Sequence, residues 1–238
     1  MNWKDEDRKD RIIIALDCEA DKALYIAHKL KGEAKWVKVG MTLYYACGEA
    51  LVKMLKDCGY NVFLDLKFFD IPHQVRGAAR SATKTGADML TMHALGGRDM
   101  MMAAMEGCAE GKAENAPIPA TLAITVLTSM NQDDLTQMGV NRQVLDQVKN
   151  LAGLAKNSGL SGVVASPQDA AMLRELLGED ALIVTPGVRP AGSDVGDQSR
   201  VATPKQAFDN GASHIVIGRP ITGAEDPIEA FREIAKSL

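Results

Sequence analysis

Paired cysteines are missing from this chain. Cys18, Cys47, Cys58 and Cys108 are the only four and none forms a CxxC pair, so a reduced setting is expected rather than a disulfide framework. No apolar run reaches membrane-spanning length, and no apolar N-terminal segment resembles a signal peptide; a soluble cytoplasmic protein is the expectation. Neither charge dominates: the net charge is −4 with acids and bases interspersed, leaving no basic stripe for nucleic acid and no polybasic patch for a membrane. A small-molecule partner fits better. Low-complexity tracts, linkers and longer internal repeats are absent as well. No Gly-rich dinucleotide fingerprint follows the first strand, where Asp17-Cys18-Glu19 stands instead, and no activated Ser or Cys nucleophile signature is present. The histidines His28, His73, His93 and His214 are isolated, and no metal cluster is evident.

What is present is one unit repeated. Short apolar runs alternate with amphipathic ones, giving candidate strands at roughly 12–17, 36–40, 62–67, 89–93, 120–127, 162–165, 182–186 and 214–218. Helical patterns lie between them at 20–30, 43–58, 72–85, 98–111, 140–158, 167–177 and 204–210, with 227–238 closing the chain. Gly59, Gly86, Gly159 and Gly211 each end a helix just ahead of a strand, as left-handed caps do. Eight βα units in 238 residues predict an α/β fold, a single-domain (β/α)₈ TIM barrel over residues 11–238 after a polar lead-in at 1–10. A doubly wound open sheet is the alternative. The connection Gly187–Arg200 is too long and too rich in Gly, Ser and Asp for a plain link and reads as an active-site lid.

The most informative stretch is Asp65-Leu66-Lys67-Phe68-Phe69-Asp70-Ile71-Pro72. The preceding Val62-Phe63-Leu64 is strand-like, and a period of two puts Phe63, Asp65 and Lys67 on one face. Inside a parallel barrel both charged groups meet a crowded interior, so Asp65 and Lys67 must hold each other charged. Asp70 falls where the strand gives out, and Pro72 suits the first turn of the next helix. Other strands end in polar groups too: Asp17, Lys38, His93, Thr128 and Arg219. In a barrel these ends share one mouth. Gly218-Arg219, after the eighth strand, sits where barrels commonly bind phosphate, and Arg219 adds a forked donor. Acids that alternate with lysines suit no cation. An ammonium held among carboxylates suits delivery of a proton to carbon or stabilisation of developing negative charge. A structural salt bridge at a strand end is the bland alternative.

With those residues placed, nearly the whole chain resembles the orotidine 5′-phosphate decarboxylase family. The resemblance rests on Ala15-Leu16-Asp17, Lys38-Val39-Gly40, the stretch from Asp65 to Pro72, Thr128, Thr185-Pro186-Gly187-Val188-Arg189, Asp197-Gln198, Arg200-Val201 and Gly218-Arg219-Pro220-Ile221-Thr222. It implies decarboxylation of orotidine 5′-phosphate to uridine 5′-phosphate without metal or cofactor. Lys67 would protonate C6, Asp65 would lie beside the departing carboxylate, and Lys38, Asp65, Lys67 and Asp70 would form an alternating charge array. Asp17 and Lys38 would contact ribose, Thr128 the pyrimidine edge and Pro186 the ring. Arg189, Gln198, Gly218 and Arg219 match phosphate and lid positions. The resemblance further implies a homodimer with shared sites, in which Asp70 and Ile71 enter the neighbouring subunit's site. The chain departs from the family pattern at Phe69, where His is usual, and at His73-Gln74, where an Asn-Thr pair is common. Magnesium-dependent sugar-phosphate decarboxylases and hexulose-phosphate synthases share the Asp-x-Lys-x-x-Asp spacing but carry an acid near the end of strand two, where this chain has Lys38. A catalytically silent phosphate-binding barrel is a third reading.

Overall fold

The computed structural model describes residues 3–190 and 202–238. Eight parallel strands close on themselves in chain order: β1 (Ile12–Ala15), β2 (Trp36–Gly40), β3 (Asn61–Phe68), β4 (Met89–His93), β5 (Ala120–Ile124), β6 (Gly162–Val164), β7 (Leu182–Thr185) and β8 (His214–Ile217), which pairs back onto β1. The strands are short and apolar because both faces are covered. One set of alternating residues, including Ile13, Trp36, Phe63, Met89 and Leu182, fills the barrel. The other set, including Ile12, Ile14, Val37 and Leu64, packs under the helices. The (β/α)₈ barrel expected from the repeat is the fold, and the open sheet is excluded by the β8–β1 pairing.

The helices are α1 (Ala20–Lys29), α2 (Met41–Asp57), α3 (Pro72–Thr83), α4 (Gly97–Gly111), α5 (Gln132–Gln137), α6 (Val144–Asn157), α7 (Ala170–Leu177), α8 (Pro204–Asp209), α9 (Arg219–Thr222) and α10 (Pro227–Lys236). Pro72 stands at the start of α3 as its fixed φ suits, and the four capping glycines have φ between +86° and +97°. The strand expected over 120–127 ends at Ile124, and three helix starts differ from expectation by two residues or more. The helix expected over 140–158 starts only at Val144, as α6; ahead of it stands α5, a short helix that was not expected, which Asn131 caps by accepting from the N–H groups of Asp133 and Asp134 and after which the chain turns at Gly139 with φ +79°. Next, α7 starts at Ala170, after a turn in which the Asp169 N–H donates to the Ser166 carbonyl. Lastly, α2 starts at Met41 and is interrupted at Gly48, whose φ is +66°.

The lead-in lies across the barrel's floor. The Arg11 and Arg174 guanidinium groups stack on the Trp3 ring, at 5.4 and 5.1 Å from its centroid, and Lys4 pairs with Asp180 at 2.6 Å. Inside that floor His214 is fully buried, edge-on to Trp36 with centroids 5.4 Å apart. At the opposite end, the C-terminal ends of the strands open into the cavity described next.

Candidate active site

Asp17 follows β1, Lys38 belongs to β2, and Asp65 and Lys67 belong to β3. Adjacent parallel strands bring the four side chains together, with Gly40 paired to Asp65 across the β2–β3 ladder. Lys38 Nζ lies 2.7 Å from Asp17 Oδ1 and 3.9 Å from Asp65 Oδ2; Lys67 Nζ lies 2.8 Å from that same Asp65 oxygen. The signs alternate along the row, so each charge has an opposite neighbour, and the desolvation cost of the two most buried members, Lys38 and Asp65, is offset by pairing. Gly40 leaves room for the row. A Cβ there would stand 3.0 Å from Asp17 Oδ1 and 3.2 Å from Lys38 Nζ.

The approach of Lys67 to the cavity is not a simple pleat. Leu64 pairs with Leu90, but Phe68 pairs with Met92, so β3 carries extra residues between these two points. At the bulge Lys67 adopts φ +52°, the left-handed region that a lysine rarely enters. Bulges next to active sites re-aim side chains, and here the outcome is that Asp65 and Lys67 both face the cavity. Thr91 of β4 secures the arrangement: its hydroxyl accepts from the Lys67 backbone N–H at 2.9 Å and donates to Asp65 Oδ1 at 2.9 Å.

The cavity encloses about 520 Å³. Of the site residues expected from sequence, Asp17, Lys38, Asp65, Lys67, Thr128, Pro186, Arg189, Gly218 and Arg219 line it. Asp70 and Ile71 do not. Both are exposed on the β3–α3 loop, where Asp70 Oδ1 accepts from the Ile71 N–H at 2.6 Å. Gln198 lies outside the described residues, as does most of the stretch read as a lid. The base of that stretch is pinned, because Val188 bridges Ala202 and the Arg189 N–H donates to the Ala202 carbonyl at 3.0 Å. His93 packs against the Phe69 ring, 5.4 Å between centroids; burial lowers its pKa, the Lys67 charge lowers it further, and Asp65 opposes them. Sequence reasoning missed Thr91 and the space that Gly40 leaves, together with Ile124, Val164 and Val216, which join Phe63 in an apolar wall beside the charges. The wall was legible as inward strand positions; nothing in the sequence announced the Thr91 bonds.

Among the described residues no three His, Cys, Asp or Glu side chains converge as metal ligands, and no helix is long and apolar enough to cross a membrane. A closed (β/α)₈ barrel with a charged row at the C-terminal mouth, walled by apolar residues, has the architecture of a barrel enzyme. The model of the orotidine 5′-phosphate decarboxylase / HUMPS family matches residues 10–234, and the chain belongs to that family. It is 48% identical over 231 residues to the orotidine 5′-phosphate decarboxylase of Maridesulfovibrio salexigens, covering 95% of this chain and 98% of the relative. Against the enzyme of the same name from Moorella thermoacetica it is 48% identical over 233 residues, 97% of this chain and 92% of the relative. The crystal structure of orotidine 5′-phosphate decarboxylase from Lactobacillus acidophilus superposes with a TM-score of 0.86 at 40% identity, covering 95% of this chain and 98% of that one.

Proposed function

We propose that the chain decarboxylates orotidine 5′-phosphate to uridine 5′-phosphate and carbon dioxide in pyrimidine biosynthesis, with Lys67 as the proton donor. The observation that carries this reading is the Lys67 ammonium, 2.8 Å from Asp65 at the cavity wall. Scission of the bond from C6 to the carboxylate leaves an electron pair on C6 that the pyrimidine ring does not delocalise. A proton from Lys67 Nζ forms the new C6–H bond, and the resulting amine regains a proton from water. An ammonium fixed beside C6 meets charge that exists only late in the reaction, which is where an interaction accelerates a step most. Asp65 lies beside the substrate carboxylate and orients Lys67. The apolar wall lowers the local dielectric, so each of these charges acts more strongly than in water.

Binding falls to the rest of the cavity. Asp17 and Lys38 hold the ribose, Thr128 the pyrimidine edge and Pro186 the ring, while Arg189, Gly218 and Arg219, joined by Gln198, take the phosphate. Phosphate is remote from C6, so its contacts supply binding energy that assembles the charged row. Asp70 and Ile71, exposed and outside the lining of their own cavity, serve the site of a second copy across a homodimer interface. The exposed apolar side chains Tyr45, Phe69, Ile71 and Leu95 on neighbouring elements support that reading. No step in this chemistry calls for a metal or cofactor.

The test is direct. Wild-type protein should consume orotidine 5′-phosphate in a spectrophotometric assay, and Lys67→Ala should lose the activity by many orders of magnitude while remaining folded. Near-normal turnover of the variant, or a folding failure in place of a kinetic one, makes Lys67 structural.

A further inference from the structure

Three buried threonines in this barrel give their proton to backbone. Thr83 donates to the Ala79 carbonyl, Thr85 to Ala82 and Thr125 to Val164. Thr91 differs: it is fully buried, and its hydroxyl joins two residues of the charged row. A hydroxyl has one proton. Since that proton goes to Asp65 Oδ1 at 2.9 Å, the Lys67 N–H, also at 2.9 Å, meets an oxygen lone pair, and the two bonds are mutually consistent. The division of labour at Asp65 is equally definite. Its Oδ2 is shared by the ammonium groups of Lys67 and Lys38, while Oδ1 is held by Thr91.

From this geometry we infer that Thr91 is a positioning residue for the proton transfer, fixing both the carboxylate plane of Asp65 and the backbone turn that aims Lys67. The inference rests on the proposed roles of Asp65 and Lys67. The bulge takes the Lys67 N–H out of the regular β3–β4 ladder, so the Thr91 hydroxyl supplies the partner that the ladder does not. With the hydroxyl removed, a partly buried N–H loses its acceptor, the left-handed turn at Lys67 loses its tie to β4, and the Asp65 carboxylate is held through Oδ2 alone, with its plane no longer fixed. The ammonium then samples positions away from C6. Thr91 itself does not line the cavity, so its loss removes no direct substrate contact and leaves the phosphate and ribose contacts in place.

Three variants separate this role from packing. Thr91→Val keeps the shape and removes the hydroxyl, Thr91→Ala removes hydroxyl and methyl, and Thr91→Ser keeps the hydroxyl alone. For Val and Ala, kcat with orotidine 5′-phosphate should fall about 10²-fold, the scale of a misaligned reacting group, while KM and uridine 5′-phosphate affinity stay within about 3-fold. Thr91→Ser should keep most of kcat. The inference is overturned if Val turns over like wild type, if Ser loses as much as Val, if KM rises and kcat holds, or if both hydroxyl-free variants fail to fold. Lys67→Ala, assayed alongside, keeps the two hypotheses apart: its retention of activity would sink the proposed chemistry, whereas an inactive Lys67→Ala beside a fully active Thr91→Val would sink only the role of Thr91.

Discussion

His214 sits in the barrel floor with its Nδ1 3.1 Å from the Ser213 hydroxyl, its ring against Trp36 and the Arg11 guanidinium acting on it. Burial, reinforced by the Arg11 charge, pushes its pKa down to about 3, against roughly 6.5 in an unfolded chain. The folded protein therefore holds the ring neutral while the unfolded chain takes up a proton. Stability from this residue is complete above about pH 6.5 and is lost as pH falls from there toward the folded value. His214→Gln should flatten the pH dependence of the urea unfolding free energy between about pH 7 and pH 4; parallel curves for the two proteins would assign the acid sensitivity elsewhere. At the other end of the barrel, Arg219→Ala should weaken uridine 5′-phosphate binding by roughly 1.5–3 kcal/mol, the scale of hydrogen bonds to charged groups. Calorimetry with uridine as the control checks it, since equal losses for nucleotide and nucleoside would remove Arg219 from the phosphate site.

Among the elements, α3 and α4 approach closely enough for backbone to meet backbone. A Cβ on Gly107 would stand 2.1 Å from the Arg76 carbonyl oxygen, and one on Gly111 would stand 2.3 Å from that of Arg80. Gly107→Ala should therefore force the helices apart at a cost of roughly 1–3 kcal/mol, the range for overpacking, read as a lower urea midpoint; an unchanged midpoint would mean that the pair yields freely. Because α3 begins directly after Asp70 and Ile71, such a shift should also disturb their loop. Strand positions were readable because each core strand is a short apolar run buried on both faces, and the capping glycines marked where helices end. What stayed hidden arose from interactions between segments. Val140 looked like part of one helix with 144–157, yet the Asn131 cap and the turn at Gly139 place it between two. The alternation of Asp65 and Lys67 put them on one face correctly, but nothing local disclosed the bulge that delivers Lys67 or the tie to Thr91. Lys38, Asp65 and Lys67 were found because charges cannot be packing residues inside a barrel; what Gly40 contributes was not, since it is the space left for Asp17 and Lys38.

At the scale of the whole molecule, the proposed shared site makes a subunit-mixing test decisive. Lys67→Ala and Asp70→Ala homodimers should each be nearly inactive. A mixed dimer contains one site with both residues intact. Random exchange makes about half of all dimers mixed, so activity should recover to about a quarter of wild type per site in an isologous dimer; verified exchange without recovery would put Asp70 to work in its own chain. Exhaustive chelation should leave turnover unchanged, because the row of Asp17, Lys38, Asp65 and Lys67 places an ammonium beside each acid where a divalent ion would need oxygen ligands. Restoration by magnesium after chelation would favour the metal-dependent branch of the family. The bulge at Lys67 also bears on how such a protein drifts under selection. Its φ of +52° costs an ordinary L-residue about 1–2 kcal/mol, and glycine is spared that cost. Lys67→Gly should melt at a higher temperature than Lys67→Ala, although both remove the ammonium equally. A population selected for heat resistance with no demand for uridine 5′-phosphate should therefore tend to discard this lysine, whereas one kept dependent on the nucleotide must retain a residue that folding alone disfavours.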